Sequence, residues 1–348
     1  MLNKKQIKEI KEHLEKAQNP IFYYDNDADG LCSFVLLRKF IGRGKGVAVR
    51  SFPDLNASYA RKAAELNADY VFVLDKPVIA KEFMKDIDNL GLPMVWIDHH
   101  DLPVEEYEKD FKNFFVYNSA RGNGEGEPVT YLSYKISERK EDLWLAVAGC
   151  IADHYLPDFA REFAEKYSDL WGRVKEPFDA YYKTEIGKIA VGLNFGLKDS
   201  VTNVVRLQNF LISCAGPRSF FQELSENYYF RKKYSDIKKK YDALIRDARK
   251  AVEGNLIFFE YAGDLSISAD LSNELSYLYP DKYVVVAYRN GGLANLSIRG
   301  AGVKAILTTV LGKVGGSGGG HENAVGARIG INDLPKFKEE FKNEINGG

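Results

Sequence analysis

The 348-residue chain has little cysteine. Its three thiols, Cys32, Cys150 and Cys214, are odd in number and far apart. They make neither a disulfide framework nor a thiolate zinc knuckle, which points to a reducing compartment, the cytoplasm. Long hydrophobic runs are also lacking. None approaches the ~20 residues that span a bilayer, so no membrane partner is expected. The N-terminal stretch MLNKKQIKEIKEHLEKAQ holds no apolar h-region and reads as an amphipathic helix, not a signal peptide. An excess of one charge is absent, with 48 Lys and Arg against 49 Asp and Glu. The net charge of −1 excludes a globally basic nucleic-acid coat and a polyacidic tail. Histidine is scarce, limited to His13, His99, His100, His154 and His321. Where so few imidazoles fall therefore carries information.

Apolar and aromatic bulk is plentiful, with 45% hydrophobic residues including 21 Tyr and 21 Phe, enough for real cores. At roughly 150 residues per domain, the length suggests two domains. In the first ~155 residues, apolar runs alternate with helical patterns: IFYY (21–24), VAVRSF (47–52), YVFVL (70–74), PMVWI (93–97) and NFFVYN (113–118). This alternation predicts a parallel α/β sheet with right-handed crossovers, whose ligands bind at the carboxyl ends of the strands. Residues 218–250 read as helical, with few breakers, and carry a local charge of +5, leaving −6 elsewhere. A solvated helix face is the plainer reading, and a nucleic-acid contact the alternative. After Gly254 a smaller α/β pattern begins with NLIFFEY, YVVVAYR and LANLSIRG, and passes through VKAILTTVL and GGSGGGH to ARIGI.

Chemistry concentrates at the expected strand ends. Asp25, Asp27 and Asp29 stand at alternate positions of DNDADG (25–30), directly after an apolar strand. Uncompensated carboxylates at such range repel one another, so a cation is expected among them. An EF-hand is excluded, because position 12 of the loop is Leu36 and a strand precedes it. Asp75 ends YVFVL, Asp98-His99-His100 ends PMVWI, and Asp153 in GCIADHYLP ends an apolar helix pattern. A parallel sheet would bring these groups to one edge. Mixed carboxylate and imidazole ligands suit Mn²⁺, with Mg²⁺, Co²⁺ or Zn²⁺ as weaker fits. Five Asp with one or two His exceed the needs of one ion and suit two, which together activate a water and clamp a phosphoryl group.

In this order, DNDADG (25–30), Asp75 in VLDKP, DHH (98–100) and Asp153 in GCIADHYLP resemble the DHH phosphoesterase family. Three Asp followed by Gly in the first motif is similar to the RecJ-like nucleases and their archaeal relatives. The C-terminal region resembles the DHH-associated domain, with GGSGGGHENAVGARI (315–329) as its Gly-Gly-His run and SIR (297–299) upstream. There are two departures. Lys76-Pro77 follows Asp75 where small residues are expected, and no OB-fold-like module follows, which lowers the expected processivity on long strands.

The resemblance implies an α/β architecture. A parallel-sheet DHH phosphoesterase domain covers 1–185, a helical connector 186–253 and a DHH-associated substrate-binding domain 254–348, with the active site in the cleft between domains. It implies one ion held by Asp25, Asp27 and Asp75, and a second held by Asp29, Asp75, His99 and Asp153. His100 would contact the scissile phosphate as donor or general acid, and Asp98 would orient a histidine or a backbone group. Gly318, Gly319, Gly320, His321 and Arg299 would hold the nucleotide, with Arg121 in NSARGNGEG as a further phosphate contact. His154 reads as a helix-end histidine, with a third ion site or a substrate contact as the alternative, and His13 as a surface residue.

The implied function is two-metal hydrolysis of phosphodiesters by an exonuclease on single-stranded DNA or RNA, releasing 5′-mononucleotides in replication or repair. A replication-factor partner is part of that implication. The alternative is a phosphodiesterase for short oligonucleotides or cyclic dinucleotides. A metal-free replication scaffold is disfavoured by the intact Asp and His set, and a pyrophosphatase by the Gly-Gly-His module.

Overall fold

The structure, a computed structural model, describes residues 1–51, 54–100, 111, 113–120 and 126–347. The chain forms two compact units, Met1–Tyr234 and Ser235–Gly348.

In the first unit, β1 (Pro20–Asp25), β2 (Lys45–Val49), β3 (Tyr70–Leu74), β4 (Met94–Asp98) and β5 (Phe114–Asn118) form one sheet. Its order is β2-β1-β3-β4-β5 and every pair is parallel. The strands are apolar almost throughout because both faces are covered. Alternation sends Phe22, Tyr24, Phe72, Leu74, Val95 and Ile97 into one core, and Ile21, Tyr23, Val71, Val73, Met94 and Trp96 into the other.

The first core takes residues from helices α1 (Lys4–Lys16) and α2 (Ala28–Ile41), and the second from α3 (Lys81–Asn89) through Phe83, Met84 and Ile87. Helices α4 (Val129–Ser137) and α5 (Leu143–Ala152) join the first core, and α5 is apolar all round because it is buried. Helices α6 (Glu185–Gly196) and α7 (Val201–Ser213) lie in the stretch expected as a connector. They bury Leu193, Val204, Leu207, Phe210 and Leu211 in this same core. His13, expected at the surface, is instead buried with Nδ1 2.5 Å from the Tyr70 hydroxyl. The apolar stripe of α1 also carries Ile10 and Leu14, and His13 lies beside them.

The basic stretch is not helical from Arg218. A short 3₁₀ turn at Pro217–Ser219 precedes an irregular segment, and helix α8 runs from Tyr228 to Ala248. Asn227 closes the segment by donating from Nδ2 to the carbonyls of Phe220 and Gln222. Several cations of α8 pair with nearby anions, Lys238 with Asp242 and Lys240 with Asp264.

The second unit is a mixed sheet of β6 (Leu256–Ala262), β7 (Tyr283–Asn290), β8 (Leu293–Arg299), β9 (Ser317–His321) and β10 (Ala324–Gly330), edged by Val252–Glu253. The order is β9-β10-β8-β7-β6, and only β6 with β7 is a parallel pair among the described residues. Helix α9 (Ser268–Leu278) packs on β7 and β8. Helices α10 (Val303–Val314) and α11 (Leu334–Asn346) close the core with Leu307, Val310, Phe337 and Phe341. No helix among the described residues is long and apolar enough to cross a membrane.

Candidate metal centre

The register of the first sheet aligns its polar strand ends. Tyr24 pairs with Leu74, and Leu74 with Ile97, so Asp25, Asp75 and Asp98 follow in one row, and Asp98 pairs with Asn118. This row is the carboxyl edge, where an open α/β sheet places its ligands. Asp75 turns out of β3 with φ +57°, a left-handed conformation that a short polar side chain tolerates. Gly30 lets α2 begin directly behind this edge. A Cβ there would lie 2.5 Å from the Asp25 carbonyl oxygen. Further back, a Cβ on Gly149 would lie 2.4 Å from Thr130 Oγ1, so this glycine seats the helix that ends at Asp153.

His99 is the point of convergence. Its Nε2 lies 3.2 Å from Asp75 Oδ1 and 3.8 Å from Asp153 Oδ2. Ligand atoms of Asp75, His99 and His100 lie within 4.8 Å of one another, as do those of Asp29, His99 and Asp153. Asp98 is fully buried. Its Oδ1 accepts the His100 amide proton at 2.7 Å and stands 3.1 Å from His100 Nδ1. Asn118 donates to the His100 carbonyl at 2.8 Å, so this segment is held from two strands.

The first motif divides its labour. Asp27 caps α2 and accepts the Gly30 amide proton at 2.9 Å. Asp29 accepts the amide protons of Val129 and Thr130 at 2.9 and 2.7 Å, one on each oxygen. Asp25 is held differently. Its Oδ1 lies 2.7 Å from the ammonium of Lys76, a side chain with no exposed surface. The Lys76 ammonium also donates to the Ser51 carbonyl at 2.8 Å.

Electrostatics confirm the crowding of anions. Burial, then the charges of Asp25 and Asp29, pushes the Asp27 carboxyl up to about 8. Burial and the same cluster hold Asp75 well above the carboxylate range. Asp153 is pushed up to about 6, by desolvation first, with His99 pulling it down and Asp29 pushing it up. Burial lowers His100, but its hydrogen bond to Asp98 and the surrounding carboxylates prevail and raise it to about 8. A divalent cation would remove this repulsion, and the donors are those such a cation takes. One buried oxygen, Asp98 Oδ2, accepts no hydrogen bond from any described residue. The residues around His99 therefore fit a divalent ion.

The other candidate residues are placed as follows. His154 lies two residues past the end of α5 in a left-handed conformation, its ring stacked on Phe178 at 4.2 Å. In the second unit, Gly318, Gly319, Gly320 and His321 lie on the exposed edge strand β9, paired only with β10 among the described residues. Arg299 ends β8 and donates to Asn273 Oδ1 at 2.7 Å and to the Ile298 carbonyl at 2.8 Å. Arg121 lies outside the described residues. Sequence reasoning missed Asn118 and Asn194, which accepts the Ala28 amide proton at 2.8 Å. It noticed Lys76 only as a large residue where small ones are expected, and that departure was the available signal.

Comparison with known proteins agrees with this architecture. The family model of the DHHA1 domain matches residues 256–347. No curated protein matches the chain. Among solved structures, RecJ from Thermus thermophilus in complex with Mn²⁺ aligns with a TM-score of 0.60 at 14% identity, covering 99% of this chain and 54% of that one. The chain thus spans about half the length of that protein. A structure of exonuclease RecJ bound to manganese aligns with a TM-score of 0.62 at 14% identity, over 97% of this chain and 92% of its own. A pGpG-specific phosphodiesterase from Vibrio cholerae aligns with a TM-score of 0.52 at 13% identity, over 95% and 99%. Likeness at such identities is one of fold. The chain therefore shares the fold of the RecJ structures, and residues 256–347 of its second unit match the DHHA1 domain.

Proposed function

We propose that the protein is a divalent-metal-dependent phosphodiesterase, a RecJ-like exonuclease that acts on single-stranded DNA or RNA and releases 5′-mononucleotides. The observation that carries this reading is the convergence of Asp75 and Asp153 on His99 Nε2, at the carboxyl edge of a parallel sheet. Asp29, Asp75, His99 and Asp153 would hold an ion, with Mn²⁺ the best match to the donors and Mg²⁺ or Co²⁺ next. When bound, such an ion polarises a phosphoryl oxygen and makes a water acidic enough to attack near neutral pH.

The chain supplies the rest. Asp98 fixes the ring of His100 and favours its protonated form, so His100 can donate to a phosphate oxygen or to the leaving group. The glycine edge of β9, with His321 and Arg299, is proposed to contact the nucleotide through exposed backbone amides and cationic groups. The same reading places the protein in the cytoplasm, in nucleic-acid turnover linked to replication or repair.

A second reading, a phosphodiesterase for short oligonucleotides or cyclic dinucleotides, is favoured by the alignment over nearly the full length of both chains with the pGpG-specific enzyme. An end-labelled DNA and RNA length series with Mn²⁺ separates the two. Rates that stop rising beyond ~5 nucleotides favour short substrates, and mononucleotide ladders from long strands favour the exonuclease. The double variant Asp98→Ala with His99→Ala is expected to be inactive. Wild-type activity in it would overturn the site.

A further inference from the structure

We propose that the Lys76 ammonium is a tethered cation standing where a second divalent ion would otherwise bind, so that the centre holds one divalent ion instead of two. The inference rests on the metal-centre reading above and deepens it. Two observations carry it. The first is the pair itself. Lys76 Nζ lies 2.7 Å from Asp25 Oδ1 and 2.8 Å from the Ser51 carbonyl, on a side chain with no exposed surface. The second is where the donor groups gather. Among the described residues, both triads within ligand reach pass through His99, and neither includes Asp25 or Asp27.

Lys76 is held on every side. Its carbonyl accepts the indole proton of Trp96 at 3.0 Å. Asp75 before it occupies a left-handed conformation, and Pro77 after it restricts its backbone. Breaking this pair inside the site would leave a buried charge without its partner, which is strongly destabilising. A divalent ion on the Asp25 carboxylate would stand within a few ångströms of this fixed positive charge, in a site of low dielectric. The ammonium already pairs with Asp25, which weakens the electrostatic reason for a second ion on that carboxylate. Around His99 no such cation intervenes among the described residues, and the carboxylates of Asp75, Asp153 and Asp29 remain for one ion.

Equilibrium dialysis of the full chain against Mn²⁺, read by elemental analysis and by electron paramagnetic resonance, tests this without recourse to activity. The wild type is expected to bind one Mn²⁺ per chain, with the resolved hyperfine pattern of an isolated ion. The variant Lys76→Asn, checked for folding by circular dichroism, is expected to bind two and to show an exchange-coupled spectrum. Two coupled ions in the wild type would overturn the inference while leaving the metal-centre reading intact. No bound ion would overturn both. A folded Lys76→Asn that still binds one ion would also overturn it. Should Lys76→Asn fail to fold, the wild-type stoichiometry decides alone.

Discussion

Asp29 in the first turn of α2 accepts the amide proton of Thr130, 101 residues away, at 2.7 Å. Its other oxygen takes the amide proton of Val129 at 2.9 Å, and the hydroxyl of Thr130 returns a hydrogen bond to the Asp29 carbonyl. A carboxylate at a helix N-terminus satisfies donors that the helix itself leaves open. One residue thus ties α4 to α2 and still faces His99 and Asp153.

Replacing Asp29 is therefore expected to damage folding as well as chemistry. Asp29→Ala leaves two buried amides without an acceptor and should cost about 2–4 kcal/mol. Asp153 is 38% exposed and accepts no comparable pair of amides among the described residues, so Asp153→Ala should lose metal affinity and activity with little loss of stability. Urea unfolding in the presence of a chelator checks the contrast. Equal stabilities for the two variants would contradict it.

The metal-free protein should lose stability as pH rises. Asp27 stands at about 8 in the folded chain and Asp153 at about 6, both above the ordinary carboxyl value of 3.8. A folded state that keeps protons the unfolded state releases is favoured below the unfolded pKa, and the advantage fades toward the folded one. His100, raised to about 8, acts in the same direction. Thermal melts should therefore fall between about pH 4 and pH 8. Added Mn²⁺ displaces those protons, so its stabilising increment should be larger at the alkaline end. A pH-independent increment would contradict this.

Asp98→Asn should separate positioning from binding. It keeps the shape but removes the charge that holds His100 protonated. The alkaline limb of the kcat profile should move down by about one pH unit, with kcat reduced about 10²-fold. Metal affinity should change much less, because Asp29, Asp75, His99 and Asp153 are untouched. An unmoved limb would remove His100 from the proton transfer.

Glycine substitutions distinguish two kinds of glycine. Gly30→Ala drives a Cβ to 2.5 Å from a backbone oxygen that cannot yield, and should cost at least ~2 kcal/mol. Gly319→Ala meets nothing within 4 Å and should fold as the wild type does. If β9 lies along the nucleotide, Gly319→Ala should raise KM with little change in kcat. An unchanged KM would move the substrate contact elsewhere.

The carboxyl-edge cluster was legible because parallel strands buried on both faces are written as continuous apolar runs. Asp75 and Asp98 are where those runs stop, and the register then sets them side by side. His13 was misread because a polar residue on a helix can still fall on its buried stripe when a partner such as the Tyr70 hydroxyl awaits it. The glycine run showed no strand pattern because glycine has little strand propensity. Pairing with β10 overrides that preference. The helix expected from Arg218 begins only at Tyr228, because Asn227 binds the preceding carbonyls, a contact that spacing does not reveal.

By itself the amino-acid order determined the parallel sheet, the placing of acidic and imidazole groups at its carboxyl edge, and the likeness to DHH phosphoesterases. The first two rest on local periodicity and on where it ends, and the third on the order of the motifs, all of which a linear chain displays. What only the tertiary structure decided is how each charge is answered. Asp29 meets the first amides of α4 and Asp25 meets the buried ammonium of Lys76, while Asp75 and Asp153 meet His99. The energy of a charge depends on burial and on partners remote in sequence, and both exist only once the chain has folded.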